Sequence, residues 1–88
     1  AASDVYKRQV LCNEFALEIK FNAKYYDGFC QVIAYRSVHG FEKEIILVHI
    51  KRHYDTKFLN AVKCLSQTLN VPTILIFLDR KSILVMEK

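Results

Sequence analysis

The amino-acid sequence predicts a single α/β domain built on a mostly parallel sheet. Patterns typical of strands and of helices alternate along the chain, in the order strand, helix, strand, helix, strand, strand. A helix between two strands returns the chain to the same end of the sheet, so it connects parallel strands by a right-handed crossover. The length of 88 residues is enough for one small domain and too short for two.

The first strand is predicted from an alternation of side chains over residues 11–21. One set of positions is mostly apolar and the other is mostly polar, which is typical of a strand with one face on a core. Glu18 and Lys20 are two residues apart, so their side chains project from the same face of this strand. Leu17 and Ile19 project from the opposite face.

The first helix is predicted to begin at Asp27, which caps it, and to run to about His39, with Gly40 as its stop. Gln31 and Tyr35 are four residues apart and therefore lie on one side of this helix. An acid and an amine on a strand, followed by an amide and a phenol on the next helix, suit metal-assisted phosphodiester chemistry.

The second half of the chain predicts two more buried strands with a helix between them. Residues 44–50 contain a continuous aliphatic run, which predicts a central strand covered on both faces. Asp55 or Thr56 caps the following helix, and Asn70 and Pro72 end it. The remaining elements are a buried strand over residues 73–78, a turn over residues 79–81 and an antiparallel strand over residues 82–86.

Charged residues follow the ends of three predicted strands. Glu18 and Lys20 lie at the carboxyl end of the first strand, and basic residues leave the next two strands at the same edge. These basic residues are Lys51, Arg52, Arg80 and Lys81. Sites in open parallel sheets gather at this edge, so we expect the six side chains to hold a divalent cation and a phosphate backbone.

The composition favours a nucleic-acid partner only mildly, because the net charge is +4. No apolar run approaches the ~20 residues that a membrane-spanning helix requires. No secretory leader pattern opens the chain, so we expect a cytoplasmic protein without a membrane partner. The cysteines are Cys12, Cys30 and Cys64, and this odd, widely spaced set signals neither a zinc site nor a disulfide framework.

The combination of Glu18-x-Lys20 in a strand with Gln31-x-x-x-Tyr35 in the next helix resembles the PD-(D/E)xK nuclease superfamily. The Q-x-x-x-Y element is similar to that of the RecB-like branch of this superfamily. The resemblance covers roughly residues 15–77. It implies a three-layer core like that of restriction endonucleases, DNA as the partner, and hydrolysis of phosphodiester bonds with Mg²⁺ or Mn²⁺ as the cofactor.

The resemblance also implies a role for each matching residue. Glu18 is the expected metal-ligating carboxylate, with the Ile19 carbonyl as a further oxygen ligand, and oxygen ligands suit Mg²⁺ and Mn²⁺. Lys20 is expected to orient the attacking water and to offset negative charge that develops on the phosphate. Gln31 and Tyr35 are expected to position the phosphate, the water or a neighbouring side chain.

The superfamily pattern includes an Asp on the strand that precedes E-x-K. This sequence has no reliable match to that Asp. Glu14 shares the face of Glu18, but four strand residues span roughly 13 Å, too far for both to bind one ion. A single carboxylate binds Mg²⁺ poorly, so we expect no activity from this chain alone. Two alternatives therefore stay open: an inactive member of the same fold that binds DNA or protein, and an unrelated small α/β interaction domain.

Residues 1–9 resemble a peptide that arises when sequencing-adapter DNA is translated at the edge of an assembled read. We therefore expect this segment, which includes Asp4, to be non-native, as an expression tag would be. On this interpretation residues 10–88 form the nuclease-like domain, and its leading strands are missing.

Overall fold

The chain forms a five-stranded sheet and two helices. The structure is a computed structural model that describes residues 6–11 and 14–86. Its elements are β1 (Tyr6–Leu11), β2 (Phe15–Phe21), α1 (Phe29–Ser37), β3 (Glu44–Lys51), α2 (Thr56–Leu69), β4 (Thr73–Phe77) and β5 (Ser82–Met86). The predicted order lacked β1, which overlaps the segment expected to be non-native. The origin of that segment stays a prediction, and Asp4 lies outside the described residues.

The sheet is mixed, and the prediction of a mostly parallel sheet is wrong. The strands lie in the order β1-β2-β3-β4-β5. The two central pairs, β2 with β3 and β3 with β4, are parallel, whereas both edge pairs are antiparallel. Only the central pairs are joined through helices. Residues 12–14 are too few for a crossover, so β1 can pair with β2 only in the antiparallel direction.

Both helices lie on one face of the sheet, so the prediction of a three-layer core is wrong as well. The helices contact each other. The Arg36 guanidinium of α1 donates hydrogen bonds to the carbonyls of Leu69 (3.2 Å) and Asn70 (2.8 Å) at the end of α2. Two right-handed crossovers that step in the same direction across a sheet place their helices on the same side. The domain therefore has two layers.

The core fills the space between this sheet face and the two helices. Its buried side chains are Ala16, Phe29, Val32, Ile45, Leu47, Phe58, Val62, Val71, Leu75, Phe77 and Met86. On the opposite sheet face, Ile83 and Val85 are 66% and 63% exposed. No element among residues 6–11 and 14–86 covers that face. The prediction that the central strand is covered on both faces holds at the centre of β3, although the two helices lie on one face. There the successive residues Leu47, Val48 and His49 are 0%, 6% and 0% exposed.

The capping residues show why the second helix was the easier one to predict. The Asp55 carboxylate accepts hydrogen bonds from the backbone N–H groups of Lys57 (3.0 Å) and Phe58 (3.1 Å), as expected of a helix cap. Asn70 ends the helix in a left-handed conformation, with φ of 57°. Asp27 does not cap α1, which begins one residue after Gly28.

Candidate functional site

The E-x-K strand carries Glu18 and Lys20 on the face that the helices cover. Burial alternates along β2, and these two residues are 0% and 5% exposed. They belong to the same row as Ala16, which is part of the core. The strand therefore presents the acid and the amine from one face, as its period of two requires. Both side chains are buried, whereas the sequence predicts that they lie at the open edge of the sheet.

Helix α1 places Tyr35 at the same cavity as Glu18, whereas Gln31 does not line that cavity. Tyr35 packs against the core, and Gln31 is partly buried. Glu18 and Tyr35 line the same cavity of about 240 Å³. The other lining residues are Leu11, Ala16, Leu17, Phe41 and Ile45. This cavity is mostly apolar, and Lys20 and Gln31 are not part of its lining.

The described residues do not fit a Mg²⁺ or Mn²⁺ ion by themselves. No group of three or more His, Cys, Asp or Glu side chains within residues 6–11 and 14–86 could hold a metal. Ile19 lies in a strand that is paired on both sides, so its carbonyl points toward a neighbouring strand. A hard divalent ion needs about six oxygen ligands, and Glu18 supplies only one carboxylate.

His49 lies beside Lys20 and is completely buried in β3. Its Nε2 is 2.8 Å from the carbonyl oxygen of Asp27, and because a carbonyl only accepts, Nε2 carries the proton. The imidazole also contacts the rings of Phe29 and Phe58. Burial lowers the pKa of His49 from 6.5 to about 4, so the ring is neutral at pH 7.

The basic residues after β3 and β4 lie side by side at one edge of the sheet. The backbone of Leu78 donates to Lys51 (2.9 Å) and that of Asp79 donates to Arg52 (3.1 Å), which extends the pairing beyond the two strands. Arg80 and Lys81 follow directly. We call Lys51, Arg52, Arg80 and Lys81 the basic edge. Its position follows from the parallel pairing of β3 with β4.

Aromatic rings support three of the four cations of the basic edge. The Lys51 ammonium lies 4.5 Å from the ring centre of Phe58. The Arg52 guanidinium lies 5.4 Å from the ring of Phe21, and the Arg80 guanidinium lies 3.7 Å from that of Tyr54. Such contacts hold the side chains in place, while both arginines remain exposed to solvent.

One carboxylate lies among these cations and has a structural function. Both oxygens of Asp79 are 3.0 Å from the backbone nitrogen of Tyr54, which donates to them. Asp79 thereby ties the loop after β3 to the turn after β4. Its charge offsets part of the positive potential of the basic edge, and His53 Nδ1 lies 3.9 Å from one of its oxygens.

Two features at this end of the sheet were not predicted from the sequence. A cleft of about 390 Å³ lies beside Lys51. It is lined by Asn22, Lys51, His53, Tyr54, Asp55, Thr56 and Lys57. The second feature is Tyr25 and Tyr26, which are 45% and 48% exposed in the loop after β2. We call these two residues the tyrosine pair. The available signal was the interleaving of basic and aromatic residues at Lys24-Tyr25-Tyr26.

Comparison with known proteins found no matching family model, no matching curated protein and no matching solved structure. The membership of the PD-(D/E)xK superfamily stays a prediction. Neither of the two described helices is long and apolar enough to cross a membrane.

Proposed function

We propose that this chain is a DNA-binding domain that carries the E-x-K half of a nuclease site. The observation that supports the proposal best is the basic edge, where four cations from two successive strands lie together. Positive side chains in a cluster neutralise phosphates and supply most of the affinity for DNA that does not depend on sequence. The exposed arginines Arg52 and Arg80 are suited to this contact, because a guanidinium binds phosphate through two hydrogen bonds.

The E-x-K strand ends at the same edge of the sheet. Lys20 is paired with His49, which lies two residues before Lys51 on the neighbouring strand. Adjacent strands are about 4.8 Å apart, so a DNA backbone bound at the basic edge passes close to the end of β2. Four cations spread over the ends of two strands suit an extended polyanion such as DNA better than a small anion.

The first prediction concerns DNA binding by the 88-residue chain. We expect affinity for a short DNA duplex to fall with salt, with a slope of about −4 in a plot of log affinity against log salt concentration. Replacement of Arg52 and Arg80 together by alanine is expected to lower the affinity about tenfold or more and to reduce the slope by about two. Fluorescence anisotropy with labelled DNA measures both quantities.

Lys63→Ala is the matched control, because Lys63 is an exposed cation on α2 outside the basic edge. It removes one charge and should leave the affinity almost unchanged. If the control loses half as much binding free energy as the arginine variant, the loss per charge is the same, and the binding depends on net charge and not on the basic edge. Absence of salt-dependent affinity would exclude DNA binding and favour a protein-interaction domain.

A second candidate function is phosphodiester hydrolysis at Glu18, favoured by the cavity that Glu18 shares with Tyr35. Because the described residues do not complete a metal site, we expect no cleavage by this chain alone. A longer protein that supplies the missing carboxylate is expected to cleave DNA in a Mg²⁺-dependent manner. Glu18→Gln and Lys20→Ala are each expected to reduce that cleavage about 100-fold, since each group acts on charge that develops in the transition state.

Glu42→Gln is the control for the cleavage experiment, because it removes an exposed carboxylate outside the cavity. It should cleave DNA as fast as the parent protein. If Glu18→Gln also cleaves at the parent rate, hydrolysis at this strand is excluded. Circular dichroism of each variant separates a loss of chemistry from a loss of folding.

A further inference from the structure

We infer that the DNA bound by this chain is single-stranded, with its bases stacked on the tyrosine pair beside the basic edge. This inference rests on the proposed DNA binding and specifies the form of the nucleic acid. The rings of Tyr25 and Tyr26 are 5.1 Å apart and nearly perpendicular, at 89°. Both are close to half exposed, so each offers ring surface to a base.

The loop that carries the tyrosine pair is held firmly against the sheet. The Asp27 carbonyl accepts the hydrogen bond of His49, and the Asp27 carboxylate accepts a hydrogen bond from the Lys24 backbone (3.2 Å). Asp27 thus closes the loop on both sides of the two tyrosines. A binding residue on a fixed loop loses little conformational entropy when it contacts a ligand.

The same loop is tied directly to the basic edge. The Asn22 side-chain oxygen accepts a hydrogen bond from the backbone N–H of Arg52 (3.1 Å), and the Asn22 backbone donates to Ile50 (2.8 Å). Asn22, at the start of the loop that carries the tyrosine pair, therefore contacts the basic edge. The proposed binding surface runs from the aromatic rings of that loop to these cations.

The order of chemical groups on this surface fits a single strand better than a duplex. In a duplex the bases stack on one another inside the helix, and exposed tyrosines find no base face to contact. A single strand presents both its phosphates and its base faces, and proteins bind it with positive grooves and aromatic platforms. The Lys24 ammonium, 5.8 Å from the ring centre of Tyr26, adds a cation next to the rings.

The test uses the full chain and three labelled DNA probes of the same length, about 12 nucleotides, which is within the usual range for single-strand sites. The probes are a single strand, the corresponding duplex and a single strand without bases. We expect the ordinary single strand to bind about tenfold more tightly than each of the others. Replacement of Tyr25 and Tyr26 together by alanine should remove this preference, so that the single strand binds no more tightly than the other two probes.

Replacement of both tyrosines by phenylalanine is the matched variant, because it keeps the ring faces and removes the hydroxyl groups. It should retain the preference for the single strand. Equal binding of all three probes by the parent chain would overturn this inference while leaving the proposed DNA binding intact. Failure to bind any probe would overturn both.

Discussion

Replacement of Gly28 by alanine is expected to lower the free energy of unfolding by about 2–5 kcal/mol, the sum of a backbone effect and an overpacking effect. Gly28 has φ of +91°, a conformation that residues with a side chain rarely adopt. An added Cβ would also overlap Cδ1 of Leu47. Neither effect can be relieved without moving the start of α1 or the centre of β3.

Leu47 has no room to move away from that Cβ. It is completely buried and belongs to the core between the sheet and both helices. Interiors are close-packed, so a displaced leucine forces its neighbours out of their preferred rotamers. A small domain has only about 5–15 kcal/mol of stability in total, and the substitution removes a large part of it. Urea unfolding followed by circular dichroism gives the change.

Gly40→Ala is the control that separates the two effects. Gly40 has a positive φ of 62°, but nothing lies within 4 Å of the position where its Cβ would be. We expect this substitution to cost about 1–2 kcal/mol, from backbone strain alone. If Gly28→Ala costs no more than Gly40→Ala, the contact with Leu47 does not restrict this position.

Local signals in the sequence predicted much of the secondary structure. Asp55 and Asn70 bound α2 because a capping carboxylate and a left-handed asparagine act on the nearest backbone groups. The same reasoning failed at Asp27, which was expected to begin α1. Its carboxylate accepts from Lys24, and its carbonyl accepts from the distant His49. A contact between residues 22 positions apart cannot be inferred from local composition.

The number of layers depends on such distant contacts, whereas the antiparallel direction of β5 was predicted from the sequence. Ile45 and Ile46 are neighbours in a continuous aliphatic run, yet Ile45 is buried in the core and Ile46 lies on the uncovered face. The run indicates that both faces of the strand are apolar, but it does not say what covers them. The pairing of β1 was not predicted either, because residues 1–9 were expected to be non-native and were left out of the fold prediction.

One part of the candidate site follows from local sequence, and another part depends on how the elements pack. The period of a strand places Glu18 and Lys20 on one face, and no other information is needed for that. The burial of the two side chains, however, depends on where α1 packs. In the folded chain Glu18 is 0% exposed and Lys20 is 5% exposed. The tyrosine pair was overlooked because exposed aromatic residues cannot be told from core residues until the fold is known.

Acidification from pH 7 to pH 4 is expected to destabilise the domain by up to about 3 kcal/mol through His49 alone. Its pKa is about 4 in the folded chain, against 6.5 ordinarily, because burial opposes the charged form. Between these two values the unfolded chain binds more protons than the folded chain, so stability falls as the pH decreases. The expected slope is about 1.4 kcal/mol per pH unit, with no further loss from this residue below pH 4.

His49→Phe removes the titrating group from the core and keeps an aromatic ring between Phe29 and Phe58. We expect this variant to lose the part of the pH dependence that lies between pH 6.5 and pH 4, even if the lost hydrogen bond to Asp27 lowers its stability at pH 7. His39→Phe is the control, because His39 is exposed and should leave that slope in place. Urea unfolding of the three proteins at several pH values measures the slopes. An unchanged slope in His49→Phe would show that carboxylates, and not the buried imidazole, govern the response to acid.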